Sequence, residues 1–348
     1  MAKTSYSYPS EHPDRWQLSL WRRFLTSFST RKINRRRRRQ GNDVPLQLVN
    51  GEAIRPLGDK DLPLIFLTHN DKRFLASFFS HYRALGVTRF ICVDDGSTDG
   101  TREILLAQPD VDLWSSSIRY GEAMRGKLWR EALAQRYGYG RWYLNIDSDE
   151  YLVYPGYQDK PLKALIATLE ARGQWRFPGP MLDLYPGGDI GISHFEGEDA
   201  RMPWEVADHF DRDGYTLSFE KRFMSLQGGP RSRMFGAEAQ LMKYPLLFWD
   251  AGTNLGVSIH QPTPFERNFA RIEGVLLHFK FFSDYEKKVQ EAIADKQYFA
   301  NAVEYRRILD VTQAKAGLDF SSETSLRYQS PEQLQEVGLV SSPFSDGE

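Results

Sequence analysis

The chain has 348 residues, 41% hydrophobic and 14% aromatic, which is enough for a sizeable core in one large α/β domain with extensions or in two smaller domains. Its formal net charge of -1 argues against wholesale nucleic-acid binding, and its single cysteine excludes an internal disulfide framework and a cysteine-rich metal site. Cys92 sits in the apolar run RFICV and reads as a buried structural thiol. No apolar run is long enough to span a bilayer and no secretory apolar core opens the chain, so the expected compartment is the reducing cytoplasm.

Residues 1–60 differ from the rest. The block RKINRRRRRQ (Arg31 to Gln40) concentrates like charge, and WQLSLWRRFLTSF before it spaces Trp16, Leu18, Leu20, Trp21, Phe24, Leu25 and Phe28 in a partly helical pattern. A flexible, solvated basic arm is the expectation. Peripheral contact with an anionic membrane and contact with RNA are the alternatives this pattern leaves open, and no specific nucleic-acid partner is expected.

Residues 61–155 alternate between strand and helix patterns. LPLIFLTHN (Leu62 to Asn70) is a buried strand ending in polar residues, and Lys72 to Gly86 is a helix with Phe74, Leu75, Phe78, Phe79, Tyr82 and Leu85 on one face. RFICVDDGSTDGT (Arg89 to Thr101) is the next strand, with Ser97, Thr98 and Asp99 able to cap a helix from about Thr101. Val111 to Ser117 is a third strand, and a helix from about Glu122 to Tyr137 returns the chain to a strand around Trp142 to Ile146. This alternation predicts parallel pairing with right-handed crossovers, and in such sheets ligands bind beyond the carboxyl ends of the strands. Asn70, Asp71, Asp94, Asp95, Asp147 and Asp149 all fall at that edge.

The stretch WYLNIDSDEYLVYP (Trp142 to Pro155) puts Asp147, Asp149 and Glu150 at the end of an apolar strand. Three crowded carboxylates are mutually repulsive and costly to desolvate, which calls for a counter-charge such as a divalent cation. In an extended chain Asp147 and Asp149 point to the same side and can share one hard metal, Mg²⁺ or Mn²⁺; a solvated acidic turn is the alternative. Asp94 and Asp95 suit hydrogen bonds to a base or a ribose. Neither a G-x-G-x-x-G fingerprint nor a Walker-type lysine loop is present.

Asn70-Asp71, VDDGSTDGT and IDSDEYLVYP, in this order and spacing, resemble the nucleotide-sugar-binding half of glycosyltransferase family 2 proteins of the bacterial branch. The resemblance covers about residues 62–155. It implies a GT-A fold, with a mostly parallel central sheet flanked by helices. It also implies that Asp94 and Asp95 belong to the donor nucleotide pocket and that Asp147 and Asp149, as a D-x-D motif, hold a metal bound to the donor diphosphate. The implied activity is transfer of a sugar from a nucleoside-diphosphate donor to an acceptor hydroxyl, with inversion. The acceptor class it implies is a glycan or glycolipid of lipopolysaccharide or other surface-polysaccharide synthesis. A non-catalytic nucleotide-sugar-binding protein that retains the fold is the alternative.

Residues 156–315 would form the acceptor half, with a helix over about Lys160 to Arg172 and strand plus loops in RFPGPMLDLYPGGD. Residues 193–218 carry His194, Asp208, His209, Asp211 and Asp213 without periodicity. GGPRSRMFG (Gly228 to Gly236) reads as a basic turn in which Arg231 and Arg233 can hold phosphate. KYPLLFWDAG begins a strand-like run at Lys243. His278 ends the strand pattern GVLLHF, and by the resemblance it is the expected third metal ligand, with His260 second; Lys280 can neutralise diphosphate. Glu238 and Asp208 are the candidate catalytic bases, although neither sits in a recognisable motif. A helix from about Asp284 to Leu309 and a poorly ordered tail, residues 316–348, complete the expectation.

Overall fold

The structure, a computed structural model, describes residues 5–40, 44–197, 201–256, 258–295, 309 and 317–345, without the side chains of residues 38–40. The predicted alternation is present. Strands β3 (Pro63–Thr68), β4 (Arg89–Asp94), β5 (Val111–Ser116) and β6 (Arg141–Asn145) are parallel, and helices α2 (Lys72–Ala84), α3 (Thr101–Leu106) and α4 (Lys127–Tyr137) connect them. Three antiparallel strands extend this core: β2 (Leu46–Leu48) beside β5, then β13 (Leu246–Trp249) and β8 (Arg176–Phe177) beyond β6. The seven-stranded order is β2-β5-β4-β3-β6-β13-β8.

A run such as PLIFLT, buried along its whole length, is what a central parallel strand covered on both faces requires. Helix α2 covers one face with the predicted aromatic stripe: Phe66 of β3 lies 5.0 Å, ring centre to ring centre, from Phe78, and Phe79 lies 4.9 Å from Phe90. The same helix braces the next element. Tyr82 Oη donates to the Glu150 carbonyl and accepts the Leu152 N–H, each at 2.9 Å, on strand β7 (Glu150–Val153).

Strand β7 belongs to a second sheet of order β7-β14-β9, with β14 (Val275–Phe279) antiparallel to β7 and parallel to β9 (Met181–Leu184). This corrects the expectation that Asp147 and Asp149 lie along one extended stretch and point to the same side. The strand ends at Asn145, residues 147–149 cross between sheets, and Glu150 starts a new strand. Strand alternation therefore does not align Asp147 with Asp149.

The terminal segments are also better structured than expected. In place of a flexible arm, residues 5–40 form β1 (Ser5–Tyr8) and the long helix α1 (Leu20–Gln40). Strand β1 pairs antiparallel with β11 (Tyr215–Phe219), which in turn pairs with β12 (Met224–Gly228), and Tyr8 Oη donates to the Leu339 carbonyl at 2.6 Å. The expected disordered tail supplies β15 (Ser325–Arg327), paired with β10 (His209–Asp211), and helix α8 (Pro331–Glu336), capped by Ser330. Buried Tyr328, Leu334, Leu339 and Val340 account for that order. Helix α5 spans Leu162–Ala171, and α7 is described over Tyr285–Asp295; the rest of the helix expected to about Leu309 falls on residues 296–308, outside the described residues. Among the described residues no helix is long and apolar enough to cross a membrane.

Candidate active site

Beyond the carboxyl ends of β3, β4 and β6 lies a cavity of about 310 Å³. Asp71, Asp95, Asp147, Asp149 and Glu150 line it, together with Arg231, Lys243, His260, His278, Lys280 and Asp295. The edge at which the sequence gathered its acidic residues is thus the edge of a real cleft.

Two of the six edge residues brace the rim without lining the cavity. Asn70 holds φ +59, donates its backbone N–H to Ser97 Oγ at 2.9 Å and accepts the Thr98 N–H on Oδ1 at 2.7 Å. Asp94 accepts the Ser97 N–H at 3.0 Å and faces Arg102 at 3.7 Å. Together they fix the DGST loop. Asp95 turns into the cleft, where Arg119 Nε donates to it at 3.0 Å and the Tyr120 N–H at 3.3 Å. Burial raises the Asp95 carboxyl, with Arg119 opposing. Burial likewise raises Asp71, opposed by the Ser148 hydroxyl, which donates to it at 2.6 Å.

Asp147 and Asp149 take different partners. Asp147 accepts from Lys243 Nζ at 2.6 Å and from Arg130, a buried guanidinium that also donates to the carbonyls of Ile65 and Ile146 at 3.2 Å. Burial pushes the Asp147 carboxyl up, but Lys243 and Arg130 outweigh it and hold it below the usual range. Lys243 also binds Glu150, whose carboxyl burial keeps raised. Burial lowers the Lys243 ammonium's affinity for its proton, and the two carboxylates more than reverse that. The counter-charge that the sequence assigned to a divalent ion is therefore supplied in part by the chain itself. Arg130 lies on the inner face of a helix that starts five residues later than predicted, after positive-φ turns at Met124, Arg125 and Gly126. A Cβ on Gly126 would stand 1.9 Å from Leu67 Cδ1, so glycine lets this turn close over β3.

Asp149 faces His278, with Oδ2 3.5 Å from Nε2. Register explains the rest. Across β7-β14-β9, Glu150 is opposite His278 and His278 is opposite Asp183, so these side chains share one face of the sheet. The imidazole Nδ1–H donates to Asp183 Oδ1 at 2.5 Å, and Arg231 Nε donates to Asp183 Oδ2 at 2.7 Å. Burial disfavours the charged imidazolium, yet Asp149 and Asp183 raise the His278 pKa above its ordinary value. Burial pushes Asp149 up, and His278 with Lys280 holds it lower. Potential ligand atoms of Asp149, Glu150 and His278 all lie within 4.8 Å of one another. Asp147 stands outside this group, so Glu150 takes the place beside Asp149 and His278 that the sequence reading gave to Asp147.

The donor set fits a divalent cation. It offers two carboxylates and one imidazole whose far nitrogen is fixed by a buried carboxylate, as metal-ligating histidines usually are. One nitrogen among oxygens suits Mn²⁺ better than Mg²⁺. His260 lines the cavity, but its Nδ1 is engaged with the Met242 carbonyl at 2.8 Å, and burial beside Lys243 lowers its pKa to about 4.

The remaining candidates lie elsewhere. Gly228 to Gly236 is not an open turn: Gly229–Phe235 form helix α6. Arg231 reaches the cavity edge bound to Asp183, whereas Arg233 is tied to Asp211 at 2.9 Å and to the Phe320 carbonyl at 2.6 Å, off the cavity lining. Glu238 is exposed and does not line the cavity. Asp208 is held between His209 and Arg327, both at 2.7 Å, also outside the lining. Arg130, Asp183, Arg119 and Asp295 were missed as site residues; none sits in a motif, and only sheet register and helix packing bring them in.

No family model and no curated protein matches the chain. Among solved structures it is similar to a 4-diphosphocytidyl-2C-methyl-D-erythritol synthase, at 11% identity over 81% of this chain and 99% of that one, with a TM-score of 0.25. An inositol-1-phosphate CTP transferase from T. maritima matches at 10% identity over 81% of this chain and 97% of that one, also with a TM-score of 0.25. An apo-UDP-glucose pyrophosphorylase matches at 9% identity over 80% and 97%, with a TM-score of 0.24. At these TM-scores the likenesses carry no argument. What stands is an α/β chain with a central, mostly parallel sheet and an acidic, cation-braced cleft at the carboxyl ends of its strands.

Proposed function

We propose that the chain is a glycosyltransferase that uses a divalent cation to move a sugar from a nucleoside-diphosphate donor to an acceptor hydroxyl. One observation carries the reading: the three motif regions, Asp71, Asp95 and Asp147 to Glu150, meet in one cleft beside His278 and Lys280. Asp95 would accept hydrogen bonds from the base or ribose of the donor. Asp149 and His278, with Glu150 behind them, would hold Mn²⁺ or Mg²⁺, which when bound supplies positive charge against the departing diphosphate. Lys280 would add to that charge, and Asp183 with Arg231 would keep His278 in the tautomer that presents Nε2. Lys243 and Arg130 would keep Asp147 ionised and fixed, so that residues 147–149 hold their turn at the cleft.

The group that takes the acceptor's proton must come from the cavity lining, which leaves out Glu238 and Asp208. A glycan or glycolipid acceptor follows from the motif resemblance alone. The test is release of nucleoside diphosphate from a panel of nucleotide sugars. Turnover should require Mn²⁺ or Mg²⁺ and stop with a chelator; no release from any donor under either condition would leave a binding protein as the better description.

A further inference from the structure

Helix α1 is attached to the body through its polar side. Thr26 and Thr30 are buried, and Thr30 Oγ1 accepts the Phe265 N–H at 3.1 Å. Arg22 donates to the carbonyls of Phe219 and Glu220 at 3.3 and 2.9 Å. Asn34 donates to the Gly252 carbonyl at 2.7 Å, and Arg37 pairs with buried Glu131. The other side carries Leu20, Trp21, Phe24, Leu25 and Phe28, which are 85, 61, 65, 38 and 67% exposed. Leu20, Phe24 and Phe28 repeat every four residues, as do Trp21 and Leu25, so all five form one stripe along the outer face.

This is the reverse of an ordinary surface helix, whose apolar stripe faces the core. Half of the ten exposed large hydrophobic residues among the described ones lie on this single helix, so the stripe is a patch and not a scatter. Cations frame it: Arg15, Arg23, Arg31, Lys32, Arg35 and Arg36 are exposed, and α1 contains no acidic residue.

We propose that α1 is an interfacial helix that docks the protein on an anionic lipid bilayer, with the aromatic stripe at the acyl boundary and the cations on headgroup phosphates. The chemistry matches on both counts. Aliphatic and aromatic side chains side by side, including Leu20 and Leu25, have use for hydrocarbon and none for the edges of RNA bases. The flanking cations need an acidic surface, which the α1 of a second copy does not offer. The helix lies along the protein surface and its basic half bars it from crossing a membrane, so it docks in the plane of the interface. The proposal is independent of the transfer reaction, because it concerns residues outside the cleft.

The test is co-sedimentation of the full chain with vesicles of phosphatidylcholine containing about one-third phosphatidylserine, against pure phosphatidylcholine vesicles and a no-vesicle control. Binding is expected to the anionic vesicles only and to weaken in high salt. Phe24→Ser with Phe28→Ser, and separately Arg35→Glu with Arg36→Glu, should each reduce partitioning by at least about tenfold. These exposed positions should leave the melting temperature unchanged. Anionic-vesicle binding that survives both double substitutions would overturn the proposal. So would absence of vesicle binding, or sedimentation without vesicles that the phenylalanine substitutions abolish, which would identify a second copy as the occupant. Capture of RNA in preference to anionic vesicles would likewise overturn it.

Discussion

Lys243 is the most informative single position in the cleft. Its ammonium is buried and contacts Asp147 at 2.6 Å and Glu150 beside it. Lys243→Met keeps the volume and removes the charge. Asp147 retains Arg130, whereas Glu150 is left with the His278 ring across the strand pair and the Asp147 N–H at 3.2 Å. Breaking a buried pair by removing one partner costs about 3–5 kcal/mol, and the surviving Arg130 contact points to the lower end, about 3 kcal/mol. The sign with pH follows from Glu150. Its folded pKa is already raised by burial and rises further without Lys243. A group of that kind contributes stability below its unfolded pKa and loses it as pH rises through the folded one. The deficit of the variant should therefore be full at pH 7 and shrink as pH falls toward the ordinary carboxylate range. Urea unfolding of both proteins at pH 7 and pH 5 reads this directly. A loss under about 1 kcal/mol, or one that does not change between those pH values, would refute the view that Lys243 neutralises a buried carboxylate.

Two further predictions concern the groups around β7 and β14. His81 is buried and bound through Nε2 to the Leu152 carbonyl at 2.9 Å, and burial lowers its pKa to about 4. A depressed folded pKa gives stability that is present above the unfolded value near 6.5 and is lost as pH falls through about 4, so His81→Gln should flatten stability across that window by about 3 kcal/mol in urea titrations. Asp183→Asn removes the carboxylate behind His278 and should weaken Mn²⁺ binding roughly tenfold to a hundredfold by calorimetry, the usual range for a partner behind a metal-ligating histidine.

How much of this was legible in the sequence depends on how local the signal is. Strands β3 to β6 and helix α2 follow from apolar periodicity, and with them the sheet edge that carries Asp71, Asp95 and Asp147. The end of that strand near Ile146 is legible too, but the move to a second sheet is not, because Tyr151 to Val153 have the same apolar composition in either sheet. The row Glu150, His278 and Asp183 depends on the pairing of three strands distant in sequence. Arg130 and Lys243 look like ordinary surface cations until packing buries them. The basic arm misled for a related reason: its charge block suggested a free tail, but Thr26, Thr30 and Asn34, spaced four apart, gave it a docking face.

The central claim is that the cleft binds a nucleoside diphosphate together with a divalent cation, and thermal unfolding with a panel of nucleoside diphosphates, with and without Mn²⁺, tests it most directly. Ligand at a hundred times its dissociation constant stabilises by about 2.7 kcal/mol, so at least one nucleotide should raise the melting temperature with Mn²⁺ present. That rise should vanish in the chelated protein and in Asp149→Asn, whose own unfolding should stay cooperative. A nucleotide shift that is the same with and without the cation, or that survives intact in Asp149→Asn, would contradict the account.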